Sequence, residues 1–443
     1  MSTDLLPTLR VAEPSLPEVH SSVGISRSGV PWRRLLGFLG PGFLISVGYM
    51  DPGNWATDIA GGSQFGYTLL FVIMASNLMA VLLQSLSLKL GVATERDLAQ
   101  ICHERYGKRI SFFLWLGAEV AIAACDLAEV IGSAIALNLL FHIPLFYGVL
   151  ITGLDVLLIL MLQRWGFRWI EALVIALIGT IIAMFSVQMF LSRPEYGVAF
   201  VNLFVPSPQI ITNPAMLYIA IGILGATVMP HNLYLHSSIV QSRNYERTSV
   251  GKREAIFMAN VDSALALTVA LFVNAAILVV AAAVFHRSGH YEVGAIQDAY
   301  KLLSPLLGAA GASTLFAIAL LASGQNSSIT GTLAGQVVME GFVNIKLPPW
   351  QRRMITRTLA IIPTIIVVAF TGERGTEKLL ILSQVILSMQ LSFAVVPLVI
   401  FTGSRKIMGE FVNARWLQAL SWFVAVLIAG LNVWLLVLMF KGN

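Results

Sequence analysis

Asp51-Pro52-Gly53-Asn54 and Met229-Pro230-His231-Asn232 interrupt two long apolar segments, and each sets a side chain with donor electrons before a proline and an asparagine two residues after it. Proline has no backbone N–H and clashes with the carbonyl four residues back, so each segment loses its helical ladder there. The freed carbonyls then stand beside side chains able to hold a cation. Non-helical backbone at membrane depth survives only where it is buried in protein or lines a cavity, and matched interruptions in two halves of a chain point to a transport site. Cation binding inside a membrane is therefore the chemistry these residues suggest.

Asp51 is a carboxylate in an apolar run, where a charge costs about 2.5–3.5 kcal/mol on insertion scales. A bound cation would offset that cost; capping of the second half-helix is the structural alternative, and the two can coexist. Asn54 adds an amide oxygen, and Gly53 frees the backbone between them. Met229 adds a thioether, a soft ligand. Mg²⁺ and Ca²⁺ prefer oxygen shells, so the mixed set favours Mn²⁺, Fe²⁺, Co²⁺ or Cd²⁺. Glu119, Asp126 and Glu129 follow one another at spacings that put them on one helix face, as a proton route or as ion pairs with Arg352 and Arg353. His231 and His236 are further groups able to exchange protons near neutral pH.

The elements that must position these groups are membrane helices. Of 443 residues 57% are hydrophobic and 12% charged, against about 25% charged in soluble domains. At roughly 20 apolar residues per span, eleven segments qualify, near 38–62, 67–92, 111–137, 144–163, 170–191, 215–240, 258–285, 303–340, 354–371, 379–401 and 416–440. The segment 303–340 is too long for one span and implies a lead-in turn around Ser304-Pro305. With the N-terminus inside, 22 of the 28 Lys and Arg residues fall in inner connections, Arg352, Arg353 and Arg357 among them. That asymmetry sets the orientation and gives the basic residues a topological role in place of nucleic-acid binding. Residues 1–34 have no apolar h-region and read as a disordered cytoplasmic tail. Cys102 and Cys125 make neither a disulfide framework nor a zinc spacing, and Cys125 reads as a packing residue.

Breaks in spans one and six, five spans apart, require the two halves to enter the membrane from opposite sides. The expected fold is an all-α integral membrane protein with a leucine-transporter-like 5+5 inverted repeat, helices 1 and 6 broken, and eleven transmembrane helices. Its parts are the tail 1–34, a first repeat 35–214, a second repeat 215–403 and a last span within 404–443.

From about Trp32 onward the chain resembles the natural-resistance-associated macrophage protein (Nramp) family of proton-coupled divalent-metal transporters, in its bacterial manganese-importer branch. The likeness rests on Asp51-Pro52-Gly53-Asn54, on Gly225-Ala226-Thr227-Val228-Met229-Pro230-His231-Asn232 with Tyr234-Leu235-His236, on Asp126-Leu127-Ala128-Glu129, and on Gly335-Gln336-Val337-Val338-Met339-Glu340-Gly341-Phe342. The resemblance implies Asp51, Asn54 and Met229 as metal ligands, with the carbonyl of Ala226 and, in some conformations, the carbonyl of Gly48 and the amide of Gln384. It implies a proton route through Asp51, Glu119, Asp126, Glu129, His231, His236, Arg352 and Arg353. It implies import of Mn²⁺ or Fe²⁺ with H⁺ across a bacterial inner membrane, N-terminus cytoplasmic and C-terminus outside. No enzyme, cofactor, nucleic acid or obligate protein partner is expected; the partners are metal ions, protons and the lipid bilayer. A sodium-coupled carrier of organic solutes and a non-transporting metal sensor are the competing readings.

Overall fold

The computed structural model describes residues 14–25, 31–154, 165–309, 311–343, 348–371 and 374–440. They are almost wholly helical: α1 (Pro31–Phe38), α2 (Pro41–Gly48), α3 (Pro52–Phe65), α4 (Leu70–Thr94), α5 (Leu98–Phe141), α6 (Leu145–Thr152), α7 (Phe167–Ser192), α8 (Tyr196–Phe204), α9 (Gln209–Thr212), α10 (Pro214–Thr227), α11 (Pro230–Ile239), α12 (Ser249–Ala281), α13 (Ile296–Leu307), α14 (Ala312–Val343), α15 (Pro349–Thr371), α16 (Arg374–Thr402), α17 (Arg405–Met408) and α18 (Arg415–Phe440). A two-residue parallel pairing joins β1 (Val23–Gly24) to β2 (Arg243–Asn244).

Among the described residues, seven helices are long and apolar enough to cross a membrane. The other expected spans are divided or only partly described. The first is split into α2 and α3, each too short alone. The fourth reaches the described residues as α6, and the ninth coincides with α15. The segment 303–340 does contain a turn, but later than expected. α13 runs through Pro305 and ends two residues later at Leu307, the proline having no N–H to bond the Lys301 carbonyl. The chain then reverses at Gly308, with φ +63. Ser304 and Ser313 close the corner, each backbone N–H donating to the other's hydroxyl at 3.2 and 3.0 Å.

The half-helices lie in the middle of the molecule. α11 is buried at every residue and α3 nearly so. Around them stand α5 and α14, which pack together along much of their length, and α12 and α16. A helix apolar on all sides belongs inside a bundle, and the polar residues that α3 and α11 carry are buried with them. The start of α2 is pinned by charge. Asp262 of α12 accepts from the N–H groups of Gly40 and Gly42 at 3.2 and 2.6 Å. Gly40 has φ +141, and an added Cβ would strike Glu171 and Arg243, themselves paired at 2.7 Å. That pair holds the backbone in place, since Arg243 also donates to the Leu39 carbonyl at 2.7 Å.

Residues 14–25 depart from the expected disordered tail. Leu16, Val19 and Val23 are buried against the helical body. Three apolar side chains spaced along a polar stretch are enough to seat it once a complementary surface exists. Part of that surface belongs to α11 and α14, whose Ser238, Gln336 and Glu340 bond Ser15, Glu18 and Leu16, and part to the start of α7, where Val19 and Val23 line a cavity with Phe167 and Ile170; all are distant in sequence.

Candidate metal site

Both breaks have the same local build. A helix ends (Gly48, Thr227), an extended residue follows (Asp51 at φ −69, ψ 166; Met229 at φ −72, ψ 127), and a proline opens the next helix. Proline suits that first position, which needs no donor. In a continuous helix the N–H of residue 52 would bond the carbonyl of Gly48, and that of residue 230 the carbonyl of Ala226. Both donors are absent because both residues are proline. The two carbonyls expected to bind metal are thus the two that the prolines release.

Asp51 caps α3, its Oδ1 accepting from the Asn54 N–H at 2.8 Å. Its Oδ2 faces the Cys125 thiol at 3.8 Å. Capping therefore uses one carboxylate oxygen and leaves the other toward α5. Met229 packs with Ala121 and Cys125 of α5 and Leu387 of α16. The two breaks meet at Gly48, where an added Cβ would lie 3.1 Å from the Met229 sulfur and would collide with the Asn232 amide. Gln384 joins them from α16: a Cβ on Gly53 would strike its amide, and one on Gly225 its backbone carbonyl. Asp51, Asn54, Met229, Ala226, Gly48 and Gln384 thus converge on one buried region.

That region is rich in unused acceptors. Asn54 Oδ1, Thr227 Oγ1, Asn232 Oδ1 and Gln384 Oε1 are buried with no hydrogen-bond partner among the described residues. Buried polar oxygens are normally paired. Several orphaned acceptors beside a carboxylate and a thioether are what a dehydrated divalent cation requires, and a cluster that apolar packing alone would avoid.

The expected proton residues take up several positions around the site. Asp126 and Glu129 converge with Asp51 through Cys125, whose sulfur is 3.5 Å from Glu129 Oε1. Cys125 therefore does more than pack. Glu119 lies two helical turns away, half-buried, accepting from the Trp115 indole at 2.9 Å. His236 connects on another side: its Nδ1 is 2.9 Å from Gln84, whose amide donates to the Tyr49 hydroxyl at 2.8 Å. Both ring nitrogens of His231 are buried without a partner among the described residues. The side chains of Arg352 and Arg353 lie outside the described residues.

Among the described side chains, Arg357 is a cation paired with the acidic stripe. Its Nη1 is 3.4 Å from Glu129 and 4.0 Å from Asp126, and its Nη2 donates to Ser328 at 2.8 Å. Sequence reading had counted Arg357 among inner-connection cations. The helix opens at Pro349, however, so Arg357 stands two turns inside it and is 5% exposed. Its place one turn beyond Arg353 was the available signal.

Residues 42–438 match the family described as natural resistance-associated macrophage protein-like (Nramp). The chain belongs to the Nramp family. The divalent metal cation transporter MntH of Nostoc sp. is 61% identical over 96% of each chain. The MntH of Mesorhizobium japonicum is 60% identical over 96% of this chain and 93% of its own. Among solved structures, the Eremococcus coleocola manganese transporter, in complex with an aromatic bis-isothiourea compound, matches with a TM-score of 0.88 and 43% identity over 95% of this chain and 90% of its own. The nucleobase-cation symporter Mhp1 matches at 0.59 with 15% identity, over 90% of this chain and 91% of its own. That likeness carries the fold alone, and the fold is the expected leucine-transporter-like one. This Nramp chain is a membrane protein of a metal-transporter family and is not an enzyme.

Proposed function

We propose that this Nramp protein imports Mn²⁺, and also Fe²⁺, together with protons into the cytoplasm by alternating access. The observation that carries this reading is the convergence of both helix breaks on one buried cluster in which Asp51 and Met229 stand among unpartnered oxygens. Asp51, Asn54, Met229 and the carbonyls of Ala226 and Gly48 are the ligands, with Gln384 entering as α16 closes on the site. The thioether favours transition metals over the abundant alkaline earths. An inside-negative potential adds about 2.3 kcal/mol per unit charge per 100 mV, so a divalent ion is strongly driven inward.

Protons pass from Asp51 by way of Cys125 to Glu129, Asp126 and Arg357, a route that diverges from the metal's path. Glu119 serves its far end, and Arg352 and Arg353 the entrance of α15. His231 and His236 act on the α11 side. The N-terminus is cytoplasmic and the C-terminus outside, in a bacterial inner membrane. Alternating access follows from rocking α2, α3, α10 and α11 against α5 and α14.

The test is Mn²⁺ uptake into proteoliposomes containing an internal pH dye, with a large excess of external Mg²⁺ and Asp51→Ala as control. Expected is uptake that resists Mg²⁺, acidifies the lumen and vanishes in the variant. Binding without accumulation in sealed vesicles would move the protein to the sensor reading, and competition by an amino acid to the organic-solute reading.

A further inference from the structure

Residues 14–25 lie across the end of the molecule where α11 and α14 finish, and consecutive residues grip the two helices. The Ser15 carbonyl accepts from Ser238, beside the end of α11, at 3.4 Å. The Leu16 N–H donates to Glu340 of α14 at 2.9 Å, and the Leu16 side chain is 1% exposed. Glu18 takes a bond from Gln336 of α14 at 2.9 Å, and the same amide donates to Glu340 at 3.0 Å. Farther along, the Ser21 N–H donates to the Gln241 carbonyl at 2.9 Å, and Val23–Gly24 pairs with Arg243–Asn244. Tyr234 of α11 meets Phe342 of α14 edge to face at 5.4 Å, both fully buried.

The docked shape is imposed by the surface that receives it. Leu16 and Ser21 are non-glycine residues in the left-handed region, at φ 57 and φ 52. An isolated chain avoids that conformation, and it persists only where surrounding contacts over-determine it. A segment held by three buried apolar side chains and a few hydrogen bonds, against the cost of two left-handed residues, is suited to reversible docking. It also precedes α1 and α2 in the chain.

We propose that residues 14–25 are a strap that keeps the path closed at the α11–α14 end, with Leu16 as a gate residue of the transport cycle. The proposal rests on the transport reading above, in which α11 moves against α14. Undocking the strap permits α11 to leave α14 and the site to open to that side. Replacing Leu16 shifts the population toward that open state on the order of tenfold, the contribution of one buried leucine side chain.

The experiment places a reporter at Tyr234→Cys in a Cys102→Ala background, with Cys102→Ala alone as the control for labelling at the buried Cys125, and follows labelling by a membrane-impermeant maleimide from the strap side. Leu16→Asp and Glu340→Ala are compared with the unaltered strap. In a second arm a protease site introduced between Ile25 and Pro31 is cut after folding, so that the strap is severed from a protein already assembled. The expected result is labelling about tenfold faster in Leu16→Asp and after cleavage, with a matching rise in KM for external Mn²⁺. Unchanged labelling in the substituted proteins and after cleavage overturns the strap. Labelling does not require transport, so absent Mn²⁺ uptake by the unaltered protein counts against the transport reading alone.

Discussion

Arg357→Met is the substitution whose consequence the structure sets most tightly. Arg357 holds Glu129 at 3.4 Å and Asp126 at 4.0 Å, with both carboxylates at or below 5% side-chain exposure. At an effective dielectric of about 20 the two contacts amount to roughly 5 and 4 kcal/mol of Coulomb energy before desolvation is subtracted. Removing one partner from a buried ion pair typically costs about 3–5 kcal/mol, because the remaining charge is stranded. Two carboxylates share this arginine, so the upper half of that range applies. Methionine fills most of the same volume, which confines the loss to electrostatics. The assay is equilibrium unfolding in mixed micelles, run as a double-mutant cycle with Glu129→Gln. The double variant deprives one carboxylate fewer of this arginine and should be about 2 kcal/mol more stable than the summed single effects. Additivity within about 0.5 kcal/mol would refute the reasoning, because it would mean that Arg357 and Glu129 do not stabilise one another.

Three further outcomes follow from the same geometry. Met229→Ala removes the soft ligand while leaving Asp51 and Asn54, so Mn²⁺ uptake should persist at a reduced rate while inhibition by excess Ca²⁺ grows; unchanged selectivity would return Met229 to the packing it shares with Cys125 and Leu387. Gly225→Ala brings a methyl group against the Gln384 carbonyl and to within 2.7 Å of the Ser388 nitrogen. Both are backbone atoms that cannot swing aside, so a cost of about 1–3 kcal/mol and displacement of the adjacent Ala226 carbonyl should appear as lost stability with a raised KM for Mn²⁺. Asp262→Ala leaves the Gly40 and Gly42 N–H groups buried without their acceptor, at about 1–3 kcal/mol each. Its effect should be on stability and on opening of the α2 end, with metal selectivity unaltered; a selectivity change in uptake competition would contradict that assignment.

Much of this protein was legible in its residues one after another. Apolar runs specify membrane helices through length alone, and the two prolines determine both where the helices break and which carbonyls are released, because a missing N–H acts at a fixed offset of four residues. Asp51, Asn54 and Met229 stood out as candidate ligands because each stands within a residue or two of such a break. What tertiary structure alone decided was pairing across the fold. Arg357 looked like one more basic residue of a connection until the start of α15 put it opposite Glu129. Cys125 looked like filler until packing set its sulfur between Asp51 and Glu129. Residues 14–25 looked like tail until the ends of α11 and α14 supplied somewhere for Leu16 to be buried. Local chemistry is written in neighbouring residues, whereas the partner of a buried charge or a docked leucine depends on which distant helices share its space, and periodicity does not encode that.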